Sequence, residues 1–169
     1  MCWRERTSVE LVDIERVELL SDENKLDILF YRPQEASAES DIVKLKLYHR
    51  HVPIHMSDVL PMLENFGLRV IDESPFRVTD DEGVVSWIMD FTMLHKNGQN
   101  FHMEKAQELF QDAFTKTWNK SLEDDGFNRL ILSAGIRGRN VTILRAYAKY
   151  MGQIGTSFRR LLYTSEHDE

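Results

Sequence analysis

Three histidines, His49, His51 and His55, stand in the pattern H-x-H-x-x-x-H. On a strand the first two would share a face, which is one way to offer two imidazoles to a metal. No cysteine lies nearby, and Asp58, the nearest carboxylate, is wanted in the first turn of a helix. A solvated strand end and loop that happens to be rich in His is the simpler reading, so no metal site is expected. Nucleophiles are no better placed. Ser133-Ala134-Gly135 lacks the G-x-S-x-G frame, and Cys2 stands beside the initiator Met with no evident partner His. Gly135, Gly138, Gly152 and Gly155 give GIRG and GQIG between helical patterns, with no preceding strand to build a phosphate cradle. Walker A is absent too. The acids Asp72-Glu73, Asp80-Asp81-Glu82 and Asp124-Asp125 fall at turns and caps, where solvation and helix dipoles account for them. Asp90, inside an apolar run, is expected to face water. Arg137, Arg139, Arg145, Arg159 and Arg160 make the C-terminal part locally basic, most simply as a solvated helix face rather than an anion or partner site.

The elements that would hold these residues are legible. Residues 8–20 mix two periods and predict a strand or extended arm followed by a short helical turn. In residues 26–31, Leu26, Ile28 and Phe30 alternate onto one face of a strand, ended by Arg32-Pro33. Residues 34–41 form an acidic, small-residue loop. Residues 42–49 put Val43, Leu45 and Leu47 on a buried face and Lys44, Lys46 and Tyr48 on a wetter one. Ser57 is the expected N-cap of a helix, with Asp58 in its first turn and Pro61 near its start. Val59, Leu60, Leu63 and Phe66 make its stripe, and Gly67 ends it. Leu68, Val70 and Ile71 lead a strand that runs past Pro75 toward Val78. Residues 79–83 turn the chain into the strand 84–94, VVSWIMDFTML, closed by Asn97-Gly98.

Helices follow. Met103, Ala106, Phe110, Ala113, Phe114 and Trp118 share one stripe. Asp124 or Asp125 is expected to open a second helix carrying Leu130, Ile131 and Ala134, stopped by Gly135. Asn140 is the expected cap of a third. Its residues Val141, Leu144, Ala148 and Met151 form one apolar row; Ile143, Tyr147, Tyr150 and Ile154 form another. A helix apolar on two sides wants two neighbours. The expected division is an α/β module over residues 1–98 and a helical segment over 99–169, with a frayed tail.

Bulk properties remove several functions. A chain of 169 residues can bury a real core, and 42% hydrophobic with 29% charged residues is a globular composition. A net charge of −7 argues against a nucleic-acid partner, which would require a basic patch. No run approaches the roughly 20 apolar residues of a membrane span, and the N-terminal MCWRERTSVE does not read as a signal peptide. One cysteine cannot staple a fold, so a reducing cytoplasm is the expected setting.

Three stretches, LYHRHVPIHMSDVLPMLENFGLRVIDESPF, VVSWIMDFTMLHKNG and EDDGFNRLILSAGIRGRNVTILRAYAKYMGQIG, resemble the large bacterial NAD-specific glutamate dehydrogenases. The resemblance runs over residues 9–158, with DIERVELLSDENKLDILFYRP included. After Phe158 the sequence departs from the family, as a truncated or frameshifted end would. The resemblance implies an α/β (α+β) fold: a ferredoxin-like ACT-type antiparallel sheet with helices on one face, then a helical subdomain. That family's catalytic and nicotinamide-binding domain would lie further along, so no catalytic or cofactor-binding residue carries over. NAD belongs to the parent enzyme and no cofactor is expected in this chain. The implied role is a non-catalytic regulatory and assembly region, with the rest of the parent enzyme as partner and self-association through the ACT-type sheet or helices. The strand 84–94 and the helix 140–154 are the candidate surfaces. The alternative is an ACT module that senses an amino-acid effector. Its loop would involve His51, Ile54, Ser57 and Asp58. ACT modules that bind amino acids usually carry a glycine in that loop, where this chain has Ile54.

Overall fold

Alternating and helical apolar periods become four strands and five α-helices among the residues described by the computed structural model, which are 4–33, 41–95 and 103–154, with side chains from residue 11. The order is α1 (Arg4–Glu18), β1 (Leu26–Tyr31), β2 (Ile42–Arg50), α2 (Met56–Asn65), β3 (Leu68–Thr79), β4 (Val85–His95), α3 (Met103–Trp118), a 3₁₀ turn at Gly126–Asn128, α4 (Arg129–Ser133) and α5 (Gly138–Gln153). Residues 34–40 of the expected 34–41 loop, the Asn97-Gly98 turn, Cys2, Gly155 and everything past residue 154 lie outside the described residues.

The sheet is antiparallel with spatial order β1-β2-β4-β3. Strands β2 and β3 both pair antiparallel with β4, so they run parallel to each other, and α2 makes the crossover between them. Strand β1 pairs with the other side of β2, Leu26 opposite His49 and Tyr31 opposite Lys44. The chain order ββαββα is a circular shift of βαββαβ, so the ACT-like α+β sheet is built with an early strand on one edge. The strand 84–94, put forward above as an association surface, is interior. Both its edges are already paired.

Helices α2 and α3 cover one sheet face. The period-2 positions Ile28, Phe30, Val43, Leu45, Leu47, Met89, Phe91 and Met93 meet Val59, Leu63 and Phe66 of the α2 segment and Phe110 and Phe114 of α3. Phe110 is the centre of this core, with ring centroids 4.4 Å from Phe30, 5.0 Å from Phe66 and 5.5 Å from Phe114. At the end of α2, Gly67 takes φ +81°, and its N–H donates to the carbonyl of Glu64. A left-handed residue there lets the chain leave the helix and enter β3 at once.

Two helix starts differ from the expected caps. Helix α2 begins at Met56 with His55 at the N-cap position and no side-chain cap, so Ser57 is a first-turn residue and Pro61 lies inside the helix. Helix α5 begins at Gly138 with Arg137 as cap, not Asn140. A Cβ on Gly138 would stand 3.3 Å from Leu122 and 3.8 Å from Ala113. The Leu122 side chain, in the turn after α3, would have to shift by a few tenths of an ångström, whereas Ala113 of α3 stands at ordinary contact distance.

The larger correction is α1. Residues 8–20, expected as a strand or extended arm followed by a short helical turn, belong almost entirely to a helix, and it packs on the sheet face opposite α2 and α3. Tyr48 and Lys46, expected on a wet face, are thereby buried at 0% and 3% exposure. The helix carries its own polar partners for them, which a single-residue period does not disclose.

Candidate functional site

The loop from β2 and the first turn of α2 hold the four residues expected of an effector site, and they do not gather them. His51 sits at φ +72°, its backbone N–H donates to the carbonyl of Val85, and its Nε2 lies 2.8 Å from an Asp22 carboxylate oxygen. That hydrogen bond holds the exposed Asp22 carboxyl below its ordinary range. Ile54 points the other way, into the apolar core at 6% exposure. Ser57 and Asp58 are exposed on the first turn of α2. His49 turns its Nδ1 to the carbonyl of Val52 at 3.0 Å and its ring toward Trp118, with centroids 6.1 Å apart. The three histidines are thus not gathered, and no group of His, Cys, Asp and Glu among the described residues could hold a metal. A groove of about 340 Å³ lies elsewhere, between β1 and α3, lined by Leu26, Asp27 and Ile28 of the strand and by Gln111, Asp112, Thr115 and Lys116 of the helix.

Polar chemistry concentrates instead under α1. The Asp13 carboxylate accepts from Lys46 Nζ at 2.6 and 2.9 Å and from the Tyr48 hydroxyl at 2.7 Å. Arg16, one turn on, donates to Asp27 at 2.6 Å and to the carbonyl of Ile28 at 3.3 Å. Burial, and then the bond to Asp13, pushes the Tyr48 phenol well above its ordinary range. Tyr31 on the same face is pushed up to about 12, by burial first and then by the charges of Asp90 and Asp13. Asp90, expected to face water, has an 18% exposed side chain whose Oδ1 stands 3.6 Å from Lys44 Nζ. Each of these groups is raised away from reactivity or tied to an internal partner. A phenol held protonated beside a paired carboxylate is an anchor, not a base.

A second polar knot joins α5 to the turn before it. Arg145, placed above on a solvated helix face, is 2% exposed. Its Nε donates to Asp125 at 2.6 Å, and its Nη2 donates to the other oxygen of Asp125 at 2.8 Å and to Asn128 Oδ1 at 3.1 Å. Asp125 caps the 3₁₀ turn, accepting from the Phe127 N–H at 3.0 Å, and the Phe127 ring lies 5.9 Å from the guanidinium carbon. The motifs DGFNRL and LRAYAKY are therefore two halves of one clasp. An arginine fork fits a carboxylate on two bonds, which explains why this position takes Arg.

Residues 25–106 match the glutamate dehydrogenase ACT3 domain, and residues 122–164 match glutamate dehydrogenase helical motif 3. The chain matches a segment of the large NAD-specific glutamate dehydrogenases. An NAD-specific glutamate dehydrogenase of Pseudomonas aeruginosa is 40% identical over 158 residues, 92% of this chain and 10% of that protein. One of Halomonas elongata is 40% identical over 149 residues, 88% of this chain and 9% of its own length. One of Mycobacterium tuberculosis is 36% identical over 105 residues, 59% of this chain and 6% of its own. The chain thus spans about a tenth or less of the length of these curated relatives. The ACT3 match begins beside β1 and reaches into α3, so it includes the early edge strand. The helical-motif match includes both halves of the Arg145 clasp and runs on past Phe158, the expected end of the resemblance. No helix among the described residues is long and apolar enough to cross a membrane.

Proposed function

We propose that this chain is a non-catalytic regulatory and assembly region of an NAD-dependent glutamate dehydrogenase. The parent reaction is oxidative deamination of L-glutamate to 2-oxoglutarate with hydride transfer to NAD, and the groups that perform it belong to other parts of that enzyme. The observation that carries this reading is the internal use of the buried ionic groups in the two knots. Asp13 serves Lys46 and Tyr48, and Arg145 is held by Asp125 and Asn128. Such knots fix how segments sit against each other, which is the requirement of a scaffold.

Ile54 bears on the effector reading. A side chain buried in the core occupies the loop where an amino acid would have to approach the backbone. The expected outcome of a thermal-shift series against amino acids is no stabilisation, and a clear rise near millimolar ligand would favour a sensor. The decisive assay is NAD reduction by the pure chain with glutamate. No turnover is expected, and a sustained rate would overturn the proposal.

A further inference from the structure

Two helices of this chain leave apolar strips open to solvent, and the strips differ in charge. On α5 the inner side is taken by Gly138, Val141 and Arg145. The opposite side presents Ile143, Leu144, Tyr147 and Tyr150, with Ile154 just past the helix, all 43–64% exposed. Arg139 flanks this strip, and no acidic residue occurs between Gly138 and Gln153. On α1 the inner side carries Asp13 and Arg16, bound to the sheet. Its outer side presents Leu11 and Ile14, with Leu19 just past the helix, at 49–72% exposure, and the exposed Glu15 and Glu18 stand among them. Contiguous exposed apolar strips of this kind mark contact surfaces.

The two strips fit each other better than either fits itself. Glu15 and Glu18 are three residues apart, as are Tyr147 and Tyr150, which is about 4.5 Å along either helix axis. The two phenol hydroxyls can donate to the two carboxylates, while Leu11 and Ile14 meet Ile143 and Leu144. Pairing α1 with α1 would set carboxylates against carboxylates, and pairing α5 with α5 would leave its donors without acceptors; like-charge juxtaposition selects against the first.

We infer that α5 of one copy docks on α1 of a second copy, and that the reciprocal contact closes a two-fold dimer. This rests on the assembly reading above and gives it a surface. The test is the mass of the 169-residue chain by light scattering. The wild type is expected to be a dimer, and Leu11→Asp and Tyr147→Asp are each expected to give a folded monomer by circular dichroism. An equimolar mixture of those two variants should recover a dimer, because one of its two contacts is then intact on both sides. Should either aspartate variant fail to fold, Glu15→Arg and Tyr147→Glu replace them, each weakening the dimer alone and restoring it when combined in one chain. A monomeric wild type, a dimer that survives Leu11→Asp, or failure of complementation would overturn the inference. A monomer without turnover leaves the non-catalytic reading standing, whereas a dimer that reduces NAD would sink that reading and keep the interface.

Discussion

The two faces of the sheet solve the same problem by opposite means. Under α2 and α3 the contact is dry: Phe30, Phe66, Phe110 and Phe114 interlock with no ionic group among them. Under α1 the contact is ionic: Lys46, Asp13 and Tyr48 lie at its centre, and among the described residues a small apolar cluster of Leu20, Tyr48 and Ile88, with Val17, Leu29 and Val78 against it, accompanies them. Dry packing scales with area and tolerates any apolar partner of suitable shape. A desolvated ion pair contributes little net stability but penalises every arrangement that separates it. The dry face therefore supplies cohesion, and the ionic face selects the position of α1.

The contrast breaks most visibly at its dry centre. Phe110→Ala removes three ring contacts and is expected to cost about 3–5 kcal/mol in urea denaturation. Asp13→Ala leaves Lys46 buried without its counter-charge, at an expected cost of about 3 kcal/mol. The sharper test is the double replacement Asp13→Leu with Lys46→Met. It should recover most of that loss, since the pair selects geometry more than it stabilises; a double variant as weak as Asp13→Ala would refute the contrast. Arg145→Lys keeps the charge of the second clasp but loses the fork, and about 2 kcal/mol is expected to go with it. At the exit of α2, Gly67→Ala should cost about 1 kcal/mol, because φ is +81° while a Cβ there would meet Arg129 only at ordinary contact distance.

The smallest effect concerns pH. His95, at the end of β4, is 5% exposed, and burial holds its pKa below the ordinary value of 6.5 against the opposing charge of Asp41. In that case the unfolded chain binds the proton more readily than the folded one. Stability is full above pH 6.5 and is lost as the pH falls from there toward the lower folded value. The urea midpoint followed through this window should decline on acidification, and His95→Gln should flatten the decline.

Much of the sheet is legible in the residue pattern. Leu26, Ile28 and Phe30 alternate, as do Val43, Leu45 and Leu47, and Ile28, Phe30 and the second set are buried against the helices. The stripe of α3 and the Gly67 exit are equally plain, because such signals lie within a few residues of one another. The chosen site residues are less legible. His51, Ile54, Ser57 and Asp58 are close in sequence, yet the backbone sends Ile54 inward and leaves the others outside. Nothing local marks Asp13 as the partner of Lys46 and Tyr48, 33 and 35 residues away, or Arg145 as the partner of Asp125, 20 residues away.

By itself the sequence determined the strands, most of the helices and the family, since hydrophobic period, turn residues and long motifs are properties of neighbouring positions. Only the tertiary structure decided where the charges go. The burial and pairing of a charged side chain are settled by what a distant segment brings to it. Thus α1 turned a wet sheet face into a buried one, and the fork of Arg145 turned a solvated-looking helix into half of a clasp.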